Sequence, residues 1–233
     1  MNNKTSRVRE FNINQYRHKV KFPKLYFMLG PLVKHREQIA LDNLPGGEKI
    51  LDVGCGEGKL LIKASEKYKM GFGVDIVPFR VKKAKDQAKK RRIDNLKFYV
   101  RNIDTDGLGF KNNEFDAVVC LAVMEYLFDP YFILEQFNRI LKKGGILVIE
   151  VPNIAYLLER IRLLFGKLPD KGYAQGWTSG RLHHFTLETL EKLIKENGFT
   201  IIKRTGSGFM PILRSWWLSL LSADLIIIAK KNE

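Results

Sequence analysis

Residues 50–60 read Ile-Leu-Asp-Val-Gly-Cys-Gly-Glu-Gly-Lys-Leu: a short apolar run ending in an acid, then glycines at alternate positions, then a helix-like stretch. Little besides a strand, a tight turn and a helix satisfies that order. Gly54, Gly56 and Gly58 permit left-handed backbone and leave no Cβ in the path of a ligand, while the first free N–H groups of the next helix face the same space. A nucleotide-like ligand suits such a turn. The dinucleotide fingerprint G-x-G-x-x-G sets its third glycine three places after the second, whereas here the interval is two. A P-loop needs Ser or Thr after its Gly-Lys, and Gly58-Lys59 runs into Leu60. Both pyrophosphate readings lose support.

The rest of the chain alternates short β-like runs with helical periodicity. Residues 71–76, Gly-Phe-Gly-Val-Asp-Ile, form a second apolar run ending near Asp75, which is placed to receive both hydroxyls of a ribose or to start the following helix. Further strands are expected at 97–101, 115–124 and 146–151, with a turn at Lys142-Lys143-Gly144-Gly145. Helical faces are read from Leu60, Leu61, Ala64 and Tyr68, from Val77, Val81, Ala84 and Ala88, and from Ile133, Phe137, Ile140 and Leu141. Ile154, Leu157, Leu158 and Ile161 give another, and Leu187, Leu190, Leu193 and Ile194 a last, capped by Thr186 and stopped by Gly198. Residues 199–205 and 224–230 close the chain as a reversed strand pair. This alternation implies an α/β domain with a parallel sheet covered on both faces.

At Leu51 through Gly58 the chain resembles the class I S-adenosylmethionine-dependent methyltransferases, whose first motif is hydrophobic-x-acid-x-Gly-x-Gly-x-Gly. Leu-Lys-Lys-Gly-Gly-Ile-Leu-Val-Ile-Glu, at 141–150, resembles the turn and fifth strand of that superfamily, and the likeness extends over residues 49–230. It implies a doubly wound, Rossmann-like, mostly parallel seven-stranded sheet with an antiparallel last strand and an N-terminal helical cap. It also implies S-adenosylmethionine, with S-adenosylhomocysteine as product, held by Asp52, Gly54, Cys55, Gly56, Gly58, Asp75, Ile76, Asn102, Ile103, Asp104 and Leu121. The layout from Pro152 to His183-His184-Phe185-Thr186 resembles the small-molecule and MetW-like branches.

Methyl transfer from a sulfonium asks the protein to align the partners, exclude water and take a proton from a weakly acidic acceptor. His183, His184 and Glu125 are the candidate bases, with Tyr173 behind them; each histidine also reads as a loop residue with a satisfied hydrogen bond. No metal ligands are assigned. Ubiquinone-type O-methyltransferases of the superfamily often carry Glu-His after the fourth strand, where this chain has Glu125-Tyr126. The Asp/Asn-Pro-Pro-aromatic turn of exocyclic-amine nucleic-acid methyltransferases is absent, and Cys120 follows Val119 rather than proline, against cytosine C5 chemistry. A small-molecule or lipid-like acceptor, with O-methylation first, is the reading that remains. RNA methylation, and a non-catalytic MetW-like partner that binds S-adenosylmethionine, are the alternatives.

With 233 residues, 45% of them hydrophobic, the chain has enough material for one sizeable core. It is divided here into a basic, aromatic N-terminal segment, 1–46, and a methyltransferase domain, 47–233, with a cap insertion at 152–185. No apolar run is long enough to span a bilayer, and Cys55 and Cys120 make an unsuitable disulfide pair, so a cytoplasmic protein is expected. The net charge of +15 draws such a chain to phosphates. The lysines between Arg80 and Arg92 read as a solvated helix face. Lysines interleaved with Phe22, Leu25, Tyr26 and Phe27, and the Trp216-Trp217 pair, suit either an anionic membrane surface or packing on the domain.

Overall fold

The computed structural model describes residues 35–168, 181–207 and 216–233; Tyr173 and the Phe22 to Phe27 segment lie outside them. Seven strands are built from the expected runs: β1 (Gly47–Val53), β2 (Tyr68–Asp75), β3 (Leu96–Val100), β4 (Phe115–Leu121), β5 (Leu141–Pro152), β6 (Phe199–Ser207) and β7 (Asp224–Lys231). They form one sheet in the order β3-β2-β1-β4-β5-β7-β6. Strands β1 to β5 are mutually parallel where they pair, and β7 is antiparallel to both β5 and β6. The last four residues of β1 and the last five of β2 are buried, as helices on both faces require.

Helices α1 (Arg36–Asp42), α2 (Lys59–Ala64) and α3 (Pro78–Lys90) precede β3, and α4 (Ile103–Asp106) and α5 (Pro130–Ile140) flank β4. Helix α6 (Leu157–Leu164) follows β5, α7 (Leu187–Glu196) precedes β6, and α8 (Leu218–Leu221) precedes β7. Ile39, Leu44, Leu61, Val81 and Ala84 bury one face of the sheet; Phe115, Ile133, Phe137, Leu190 and Ile194 bury the other. Each large side chain so removed from water contributes about 1.5–3 kcal/mol. The chain leaves β1 for β2 on one side and its neighbour β4 for β5 on the other, so a crevice opens at the carboxyl ends of β1 and β4.

Five local expectations are corrected. Leu141 does not continue the helical face of Ile133, Phe137 and Ile140: its extended backbone opens β5 by pairing with Phe115. Tyr68 belongs to β2, not to the helix before it: its pairing with Gly47 and the bonds from Asn95 Nδ2 to the Ser65 and Tyr68 carbonyls capture that backbone after Ala64. The fourth strand ends at Leu121, because Ala122 takes a positive φ of 54° and Met124–Tyr126 coil into a 3-10 turn. The Lys142 to Gly145 turn is a bulge inside β5, across which the register moves from Phe115–Leu141 to Ala117–Ile146. Helix α6 does not lay Leu157, Leu158 and Ile161 on the core; all three are exposed and its one buried residue is Glu159.

Thr186 caps α7 as expected. Its hydroxyl accepts from the Thr189 N–H at 3.2 Å and its own N–H donates to Thr189 Oγ1 at 2.9 Å, while Gly198 takes φ 79° beyond the helix end. Thr186→Ala is expected to cost about 1 kcal/mol and lower Tm by about 2–4 °C, read by thermal unfolding.

Candidate functional site

The glycine turn is tied to the end of β2. The Gly54 and Cys55 N–H groups donate to the Val74 carbonyl at 2.8 and 3.0 Å, and the Gly56 N–H donates to Asp75 Oδ2 at 2.8 Å. All three glycines have positive φ, but for different reasons. A Cβ on Gly54 would overlap Val123, and one on Gly58 would press on Phe98 at 2.9 Å and Ala84 at 3.0 Å. Gly56 meets only the Arg80 guanidinium, at ordinary contact distance. Packing therefore demands glycine at 54 and 58, and Gly56 is the position with room for a ligand.

Around that turn stand the other residues expected to hold a cofactor. Asp75 is buried; Oδ1 accepts from the Val77 N–H at 2.8 Å, so it does start α3, while each oxygen keeps a lone pair for a ligand. Burial raises its pKa, against its two backbone hydrogen bonds and Arg80. Asp52 is 5% exposed, and burial, then Asp75 and Glu37, push it up to about 8. No hydrogen bond among the described residues reaches its carboxylate, which leaves an acceptor without a donor. At the end of β3, Asn102 caps α4 by accepting from the Asp104 N–H at 3.2 Å, and Asp104 Oδ1 accepts from the Phe128 N–H at 3.0 Å. Ile103 is buried beneath; Ile76, after β2, and Leu121, the last residue of β4, are half-buried at the rim, and Cys55 is free and buried. The expected residues thus lie at or next to the carboxyl ends of β1 to β4, with Cys55 and Ile103 packed into the core beneath.

Glu125, His183 and His184 meet in a small adjoining cleft, lined also by Glu159, Arg181, Asn153 and Ala223. The Leu182 and His183 N–H groups donate to the Glu125 carbonyl at 2.8 and 3.1 Å, which fixes the histidine segment to the β4 loop. Glu125 is 2% exposed, its Oε2 has no hydrogen-bond partner, and burial lifts its pKa to about 7, against Arg181 and Arg36. His183 is half-buried with Nε2 3.4 Å from the Phe128 carbonyl oxygen; His184 is exposed. A wider groove of about 810 Å³, lined by Lys85, Lys89 and Arg92, lies at the amino end of β3 and touches none of the expected site residues.

Two acids at this end escaped the sequence reading. Glu150, in β5, is fully buried; Oε2 lies 3.4 Å from Arg36 Nη1 and Oε1 has no partner. Glu159 is buried with Oε2 3.7 Å from Arg162 Nη1 and no hydrogen bond to that oxygen. The available signal for Glu150 was its place after an apolar run, which repeats the pattern of Asp52. Burial pushes Glu150 to about 8, opposed by Arg36 and reinforced by Asp224 and Glu125. A carboxyl whose folded pKa lies above its unfolded value stabilises the fold fully at low pH and loses that contribution as pH rises. The unfolding free energy is therefore expected to fall between about pH 4.5 and 8, and Glu150→Gln to flatten the decline, measured by urea unfolding across that range. Equal slopes for the two proteins would refute the assignment.

The comparisons with known proteins agree with this geometry. Residues 45–196 match a family model described as a methyltransferase domain. The ubiquinone biosynthesis O-methyltransferase of Cereibacter sphaeroides is 28% identical over 178 residues, 74% of this chain and 68% of that protein. A solved S-adenosylmethionine-dependent methyltransferase of Methanosarcina mazei superposes with TM-score 0.61 at 26% identity, covering 83% of this chain and 97% of that one. Phosphoethanolamine N-methyltransferase 2 of Haemonchus contortus, solved with S-adenosyl-L-methionine, shares the fold at TM-score 0.62 and 16% identity, over 83% of this chain and 51% of its own. A Gly56 with room beside it, an unmatched Asp52 and the spare lone pairs of Asp75 suit the polar ends of that molecule, and the chain belongs to the methyltransferase-domain family as a class I S-adenosylmethionine-dependent methyltransferase.

Proposed function

We propose that this methyltransferase alkylates a hydroxyl of a small or lipid-like acceptor held in the cleft at Glu125. The observation that carries the reading is Glu125 itself: a buried carboxylate with an unpartnered oxygen, near neutrality, beside strand ends that bear the cofactor residues. The relatives named as O-methyltransferases support oxygen as the acceptor atom. Residues 1–46 and the connection at 152–185 belong, in this reading, to a cap over that cleft. The protein is read as cytoplasmic, with a peripheral contact to an anionic membrane preferred over RNA.

S-adenosylmethionine supplies an activated methyl group on a positively charged sulfur. Asp75 receives the ribose hydroxyls with the lone pairs that Gly56 and Val77 leave free. Asp52 faces the methionine end across the glycine turn, and Asn102, Ile103 and Asp104 line the adenine side. Glu125 takes the proton that the acceptor hydroxyl loses as it is alkylated, and a pKa of about 7 suits it to do so at neutral pH. His183 and His184 stand at the mouth as alternative proton acceptors.

Asp75→Ala is expected to weaken S-adenosylmethionine binding by about 1–3 kcal/mol, on the order of 5- to 150-fold in Kd, by calorimetry. Glu125→Gln should leave that affinity intact and lower turnover by about 10²-fold or more, with the wild-type rate rising as pH passes through 7. The acceptor is found by incubating the protein with methyl-labelled S-adenosylmethionine and fractionated cell extract. Label in a polar or lipid fraction supports the proposal, label in RNA moves it to nucleic acid, and tight binding with no labelled fraction favours a MetW-like regulator.

A further inference from the structure

Helix α6 is mounted inside out. A helix that covers a sheet turns its leucines inward, yet Glu159 is the one buried residue of α6 and lines the acceptor cleft. Leu157, Leu158, Ile161 and Leu164 are exposed on the helix, and Phe165 and Leu168, just past its end, extend the apolar surface, with Leu164 84% and Phe165 75% accessible. The rotation is fixed at the base of the helix. The Ala155 N–H donates to Asn153 Oδ1 at 3.0 Å, Arg160 Nε donates to the Ala155 carbonyl at 2.7 Å, and the Ile154 N–H donates to the Phe185 carbonyl at 3.0 Å.

A second apolar edge is fastened to the same base. Asn153 Nδ2 donates to the Ser219 and Ser222 carbonyls, each at 2.8 Å, which pins α8 beside the start of α6. Trp216 and Trp217, immediately before α8, are 87% and 59% exposed. Among residues 154–168 the exposed basic groups are Arg160 and Lys167; Arg162 turns toward Glu159, the single acid, which faces the cleft. The outer surface therefore combines leucine, phenylalanine and tryptophan with positive charge and no exposed carboxylate.

We propose that α6 and the Trp216–Trp217 edge seat the protein on an anionic lipid bilayer, with the stripe entering the headgroup boundary and Arg160 and Lys167 facing the lipid phosphates. Large exposed apolar patches mark interaction sites, and leucine and tryptophan beside lysine and arginine are the composition of interfacial helices. A second copy of the chain would bring the same cations and a +15 charge against themselves. RNA has no use for six aliphatic and aromatic side chains. The inference deepens the lipid-like reading of the acceptor: α6 is a wall with Glu159 toward the cleft and the stripe toward the bilayer, so the cleft lies one helix diameter, about 10 Å, from the lipid.

Flotation of the full chain with vesicles of phosphatidylcholine, with and without phosphatidylglycerol, tests this. Binding is expected to the anionic vesicles, weakened by high salt, and reduced about tenfold or more by Leu164→Asp with Phe165→Asp and, independently, by Trp216→Ala with Trp217→Ala. S-adenosylmethionine binding, measured by calorimetry on the same samples, should be unchanged, which reports on folding and keeps this outcome separate from the methyl-transfer reading. Wild-type protein that does not float overturns the proposal. So does flotation unaffected by the variants, which assigns the contact to another segment, or self-association that the variants abolish in a protein that does not float.

Discussion

Three backbone N–H groups, those of Gly54, Cys55 and Gly56, hold the end of β1 against the end of β2 by donating to the Val74 carbonyl and the Asp75 carboxylate. The geometry exists only because the chain takes left-handed backbone at alternate positions, which side chains larger than hydrogen disfavour. From that clasp the surroundings follow. Gly58 delivers the chain into α2, and Asp75, held from one side by Gly56, holds Val77 and the start of α3 on the other. Asp52 is left one residue below the turn, buried and without a donor. The crevice between oppositely directed crossovers is thus lined by groups whose positions are set by covalent neighbours and short hydrogen bonds.

The second half of the site is governed by electrostatics at a distance. Glu125, Glu150 and Glu159 come from three elements, and each has a buried oxygen without a hydrogen bond. An unsatisfied buried polar group costs about 1–3 kcal/mol, and hydrophobic residues of similar shape would stabilise the fold better. Under the proposed function, their place at the end of the sheet gives these groups a use in chemistry. Arg36 makes the bargain tolerable for Glu150 and joins the helix before β1 to the strand that borders the cleft. The glycine-turn end is built from backbone and the Glu125 end from charge.

The parts legible in the sequence are those decided within a few residues. Apolar runs ending in acids gave β1 and β2, and alternate glycines marked the turn, because φ is a local property. Thr186 and Gly198 bounded α7 for the same reason. What stayed hidden depends on remote partners. Tyr68 continues a helical face in sequence, yet its backbone is claimed by Gly47 and Asn95. The bulge in β5 is set by its register against β4, and the Arg36–Glu150 pair links residues 114 apart. For α6 the period was right and the rotation wrong: periodicity says that a stripe exists, and only the contacts at Asn153 and Phe185 decide which way it faces. His183, His184 and Glu125 line one cleft, but a sequence cannot show that the carboxylate is the buried member of the three.

The central claim is that the clasp between β1 and β2 forms the donor site and that the Glu125 cleft receives the acceptor. A crystal structure with S-adenosylhomocysteine tests it most directly. The ribose is expected at Asp75, the adenine beside Asn102 to Asp104, the amino-acid end at the glycine turn, and the sulfur facing Glu125. Density for the product in the Glu125 cleft itself, or in the basic groove at the amino end of β3, would contradict it.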